Sequence, residues 1–202
     1  MIAGCPVLAE GRLVDGVFGQ VVSGDITRLP VVVQQFHFSL DGVAGEGIFR
    51  VRRSPTPIGR LMATLMHLPR SSDAAPVTLV IRRPAPRGRT QPVELWYRRF
   101  GDEAVNSVQT ANGTELVERL GRLGLCFDLV VAGRELRFVH VATRVHLGPF
   151  SVRLPRVLSP RVTASVGASA DHLRLQVRVR ISAAGVGTIL AYGGELAEVT
   201  GP

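Results

Sequence analysis

Lysine is missing from this 202-residue chain. All 24 basic side chains are arginine, set against 16 carboxylates for a formal net charge of +8. The absence excludes a P-loop, whose lysine reaches the phosphates, and catalysis through a lysine Schiff base. Cysteine is nearly missing too. Cys5 and Cys126 are too few and too far apart for a disulfide framework, so they read as free thiols of a reducing, cytoplasmic compartment. Aromatic residues make up only 5%, with a single tryptophan. No apolar run reaches the ~18 residues of a membrane-spanning helix. The first ten residues lack the basic start and apolar core of a signal peptide. There is no Gly-x-Ser-x-Gly elbow and no compact metal-ligand spacing, so no catalytic residue, metal or cofactor is expected.

What is present is arginine, glycine and alternation. A sequence pI of 11.2 would ordinarily raise nucleic acid as a partner. The arginines, however, are spread along the chain beside 22 glycines and 13 prolines, a skew that fits GC-rich coding. Nucleic acid is therefore not the expected partner. The charge permits weak association with anionic membrane surfaces, although no basic amphipathic helix supports it.

Residues 1–12 read as an irregular tail and residues 13–202 as one domain. Val14, Val17, Phe18, Val21 and Val22 follow a helical period, and a second short helix is expected from Leu29-Pro30. Thr56-Pro57 caps and opens a helix running to about Leu68, apolar around more than half its circumference. That helix packs on a sheet or lids a cavity, and Met62 and Met66 offer it adaptable apolar surface. From residue 75 onward nearly everything alternates, and Asn112-Gly113 marks a type I′ hairpin. The expected fold is mainly β (α+β). It is a strongly curved antiparallel sheet or partly closed barrel of about nine to eleven strands, with N-terminal helices and a helix at about 57–68.

The central stretch is Glu94–Gly101. As a strand it points Trp96, Arg98 and Phe100 to one face. An arginine between two aromatics is either a stacked, paired cation inside a concave sheet or a solvated rung. The long strand Leu136–Leu147 places Phe138, His140, Ala142, Arg144 and His146 on one face, solvated in an open sheet and lining the lumen in a barrel. His37 reads as a helix-end histidine, or as a base beside Asp41 or Glu46. Cys126 lies opposite Phe127 and reads as a small buried residue, with a nucleophile as the alternative.

The order of several short motifs carries a resemblance. Phe18-Gly19, Leu29-Pro30, His37 and Gly45–Gly47 come first. Pro57 opening Ile58–Leu68, the run Trp96–Gly101, Leu147–Phe150, Leu154-Pro155, Leu158 with Pro160, and Tyr192–Leu196 follow. The chain resembles, over about residues 14–200, a bacterial family known only as domain of unknown function 4166. Members of that family stand alone or are fused behind saccharopine-dehydrogenase-like reductases. It has no established activity to carry over, and the acidic residue expected after Pro160 is missing from Val162–Val166. The residues point first to a non-enzymatic module holding an apolar or amphipathic, lipid-like ligand. Trp96, Phe100 and Phe138 would be its wall, the helix Pro57–Leu68 its gate with Met62 and Met66 offering the ligand adaptable surface, and Arg98, His140 or Arg144 would meet an acidic head group. The resemblance implies an alternative, an interaction module that docks on such a reductase or forms a homodimer. An enzyme using a histidine is the second alternative.

Overall fold

The computed structural model describes residues 16–39, 41–84, 91–148 and 150–199. The expected tail at 1–12 lies outside them. Two short helices come first, α1 (Val17–Val21) and α2 (Val31–Phe38). Between them lie a two-residue strand β1 (Val22–Ser23) and a 3₁₀ turn at Ile26–Arg28 capped by Asp25. The β-branched run Val31–Val33 is helical, because Pro30 sets the entry and Val32, Val33 and Phe36 share a buried stripe.

Then the period changes. Strand β2 (Val43–Arg53) leads to α3 (Pro57–Leu65), and β3 (Ser72–Arg82) follows. The α3 start is as expected: Thr56 accepts the Gly59 N–H at 3.1 Å, and Pro57 stands at the first helical position. Its end comes earlier than Leu68. His67 adopts φ 51°, and Leu68 N–H returns to the Ala63 carbonyl at 2.9 Å, a Schellman closure with histidine where glycine is usual.

Next come β4 (Val93–Phe100), β5 (Glu103–Asn112), β6 (Glu115–Leu120), β7 (Leu123–Ala132) and β8 (Glu135–Leu147). They are joined by two-residue turns that begin with Gly101, Gly113, Gly121 and Gly133, each at φ 58–64°. Gly113-Thr114 is the hairpin expected at Asn112-Gly113, one residue later. Asn112 pairs with Glu115, and Gly113 takes the first turn position. The chain finishes with β9 (Phe150–Arg153), β10 (Arg161–Ala168), β11 (Leu175–Ala183) and β12 (Gly187–Glu198).

Every strand from β2 to β8 pairs antiparallel with the next. Strand β8 then pairs with β10, β10 with β11, β11 with β12, and β12 with β2. The result is a closed, up-and-down, ten-stranded antiparallel barrel. Strand β1 adds to β7 in parallel and β9 adds to β8. Eight strands make a barrel that side chains just fill, so ten leave space. One end is plugged. The ring of Phe36 on α2 presses on the backbone of Gly45, where any Cβ would come within 2.8 Å of it, so glycine at this position seats the plug. Arg83 ties α2 down by donating to the Phe36 and Asp41 carbonyls at 2.7 and 2.6 Å. At the other end stand the C-terminal turn of α3 and the turns after β4 and β6.

Candidate functional site

The inner wall follows from alternation. Strand β4 sends Glu94, Trp96, Arg98 and Phe100 inward and Tyr97 and Arg99 outward, as its period-two pattern requires. The space enclosed is about 580 Å³. Its walls are mostly apolar, with Phe49, Leu79, Phe127, Val177 and Leu190 among them. Leu65–Pro69, Ala104–Asn106 and Leu120–Leu123 ring its mouth, and His37 lies at the plugged end.

A polar cluster crosses this apolar space. Arg98 donates to Ser107 Oγ and to Glu118 Oε1, and Ser107 Oγ donates to the same carboxylate at 2.7 Å. The guanidinium lies 5.6 Å from the Trp96 ring centre. Burial disfavours both charges, but the pair outweighs it. Glu118 is held below the usual carboxylate range, and Arg98 stays charged. Tyr192 faces the same guanidinium, and burial pushes its phenol up. Of the two alternatives for Arg98, the stacked and paired cation is the one present.

Among the described residues, four buried polar atoms at the cavity have no hydrogen-bond partner: His37 Nδ1, His37 Nε2, Arg98 Nε and Gln109 Oε1. His37 is stacked on Trp96 with ring centres 5.5 Å apart, and Phe18 approaches to 4.7 Å. Burial, then the field of Arg83, lowers its pKa from 6.5 to about 3, so the ring is neutral. Asp41 and Glu46 are both exposed, and neither bonds to it. Of the two readings of His37, the helix-end histidine is the one present, in the last turn of α2, and the alternative couple with Asp41 or Glu46 is not formed. Beside the cavity, Trp96 Nε1 donates to Glu94 at 3.0 Å, and Arg83 pairs with Glu94 at 3.1 Å.

Of the residues singled out from sequence, Trp96, Arg98, Phe100, Phe138 and Met66 line the cavity. Met62 packs against the core beside it. His140 is half-buried, bonded to Thr143 Oγ1 at 3.0 Å and edge-on to the ring of Phe127 at 5.7 Å between centres, behind the residues that line the cavity. Arg144 requires a correction. A bulge at Val141 makes Cys126 pair with Ala142 and Phe127 with His140. Strict alternation therefore fails there, and Arg144 and His146 turn to the outer face beside Gly124. Glu118, Ser107, Gln109 and Tyr192 were missed. Their signal is a polar residue in step with apolar ones, as Glu118 is with Leu116 and Leu120. Among the described residues no group of three or more His, Cys, Asp or Glu could hold a metal.

Fold and cavity together define a class: a closed up-and-down β-barrel with a plugged floor, an apolar lumen and an internal ion pair. The chain belongs to the family described as a domain of unknown function (DUF4166), whose model matches residues 29–196. No curated protein matches the chain. Among the described residues no helix is long and apolar enough to cross a membrane.

Proposed function

We propose that this protein is a non-enzymatic carrier that holds one lipid-like amphiphile inside the barrel. The observation that carries the reading is the set of unpartnered buried polar atoms of His37, Arg98 and Gln109 around an apolar cavity. An unmade buried hydrogen bond costs roughly 1–3 kcal/mol, and a ligand that makes it recovers that cost. A cavity of this size with a few placed polar groups is the usual form of a small-molecule site. Glu118 already neutralises Arg98, and Arg122 stands only at the exposed mouth, so among the described residues the interior of the lumen has no unpaired cation. The preferred head group is uncharged, such as an alcohol, amide or ketone, instead of the acid expected from the sequence. Trp96 and Phe100 are the wall, and the turn Met66–Pro69 is the gate.

Trp96 is the only tryptophan, so its emission reports on the lumen directly. Titration with long-chain alcohols is expected to shift that emission saturably, and the matched fatty acids to bind more weakly. A His37→Phe, Gln109→Leu variant is expected to lose about tenfold in affinity for the alcohols. Emission that no chain length or head group changes, with native mass spectra free of co-purified lipid, would overturn the reading.

A further inference from the structure

Two long stretches of the chain hold no carboxylate. Residues 47–72 carry five arginines and no acid, and residues 136–170 carry five more and again none. Both pass through the mouth end of the barrel. The first includes the end of β2, α3 and the turn after it. The second includes the end of β8, β9, the crossing segment 154–160 and the start of β10.

The same stretches carry exposed apolar side chains. Helix α3 turns Gly59 and Ala63 inward and leaves Ile58, Leu61 and Leu65 as an outer stripe at i, i+3 and i+7. Across the rim, Phe150, Val157 and Leu158 are 71%, 71% and 67% exposed. Leu65 is 70% exposed and also lines the mouth.

Between these two apolar patches the outer wall is an arginine lattice. Arg50, Gly193, Arg178, Ser165 and Arg137 stand in one row across β2, β12, β11, β10 and β8. Nearer the mouth, Arg52, Ala191, Arg180 and Thr163 form the next row. Large cations alternate with small residues, which leaves a shallow groove that Arg156 and Arg161 also line. Asp73 meets Arg50 and Arg52, and Glu135 meets Arg137 and Arg178, all at 3.3–3.7 Å. Arg156, Arg161 and Arg180 form no ion pair among the described residues. Glu195 lies one row further from the mouth, paired with Arg174. Asp102, in the turn after β4, and Glu103, at the start of β5, stand further round the rim, where Glu103 pairs with Arg70 at 3.3 Å.

We infer that this side of the mouth docks on an anionic lipid bilayer, with the apolar residues of α3, β9 and segment 154–160 entering the interface and the arginines meeting lipid phosphates. Apolar side chains flanking unpaired cations match a bilayer surface, where each arginine near the surface adds to binding and each inserted side chain adds its buried area. Nucleic acid fits less well: the groove's own rings, Phe138, His140 and Tyr192, are half-buried, and its flanks are mostly aliphatic, with Phe150 the one exposed aromatic ring among the apolar residues named there. The barrel sits on the bilayer and does not span it, because its wall is apolar inside and charged outside, the reverse of a spanning barrel. The docked face carries the mouth, so the inference rests on the carrier reading for its purpose, but docking itself needs no occupied lumen.

The test is flotation of the full chain with vesicles of phosphatidylcholine, with and without phosphatidylglycerol. Binding is expected only with the anionic lipid, and added salt is expected to weaken it. Arg156→Gln with Arg161→Gln is expected to lose about thirtyfold in binding, and Phe150→Ser with Leu61→Ser about tenfold. Arg134→Gln with Arg174→Gln removes the same charge at the plugged end and is expected to change nothing, as is His37→Phe in the lumen. Loss in His37→Phe alone would count against the separation of docking from the lumen and overturn the proposal. So would no flotation, equal flotation with neutral vesicles, equal loss in the plugged-end control, or tighter binding to single-stranded DNA than to the anionic vesicles. Failure of the alcohol titration with docking intact would remove the carrier reading and leave this surface in place.

Discussion

At the scale of single residues, the lumen is governed by two buried polar groups with opposite requirements. His37 is neutral because burial and Arg83 hold its pKa near 3, while an unfolded chain protonates it near 6.5. Between those values the unfolded state binds the additional proton. The neutral ring therefore contributes fully above about pH 6.5, and its contribution drains away as pH falls toward 3, at about 1.4 kcal/mol per pH unit. Urea midpoints are expected to drop on acidification in this window and to drop less in His37→Phe. His140 is lowered in the same sense, chiefly by burial, so the difference between the two proteins is the quantity to read. Arg98 and Glu118 have the converse need, each requiring the other's charge. Glu118→Gln alone is expected to cost about 3–5 kcal/mol, because it strands a buried guanidinium. The double change Arg98→Met, Glu118→Leu should recover most of that in denaturant unfolding.

At the scale of elements, cations hold the helices to the barrel. Arg83 closes the end of α2 and pairs with Glu94, so Arg83→Met removes helix-end donors and leaves a buried carboxylate. Hydrogen exchange is expected to quicken through Val31–Phe38 before the barrel strands respond, with a global loss of about 3–5 kcal/mol. At the mouth, Arg53 donates to the Leu68 and Pro69 carbonyls and fixes the turn after α3. His67 stands in that turn with φ 51°, a backbone region that costs a side chain energy and glycine none. His67→Gly is expected to raise stability by about 0.5–1 kcal/mol in a thermal melt. Retention of a strained residue at a cavity mouth is what a moving gate would show.

At the scale of the whole molecule, strand number decides whether space exists. Ten strands around the ring exceed what inward side chains fill, and α1 with α2 close only one end. A filling change such as Val177→Phe is expected to keep or raise the melting temperature while abolishing the Trp96 response to long-chain alcohols. The distribution of charge is also a whole-molecule property. The exposed arginines with no acid beside them belong to distant stretches that closure of the barrel brings to one rim.

Local pattern was enough for the elements. Alternation marked the barrel strands, the Thr56-Pro57 start marked α3, and the Trp96–Arg98–Phe100 face was legible because a strand has period two. The prolines and glycines placed most turns for the same reason: they limit or free one residue's backbone. Closure was not legible, since the pairing of β12 with β2 joins residues about 145 apart, and no local signal encodes it. The bulge at Val141 was equally silent, because one additional residue in a strand has no compositional mark, yet it moved Arg144 from lumen to outer wall. The partner of Arg98 was hidden in the same way. Glu118 sits two strands away, and only the register of β4, β5 and β6 decided that the cation inside the barrel would be neutralised.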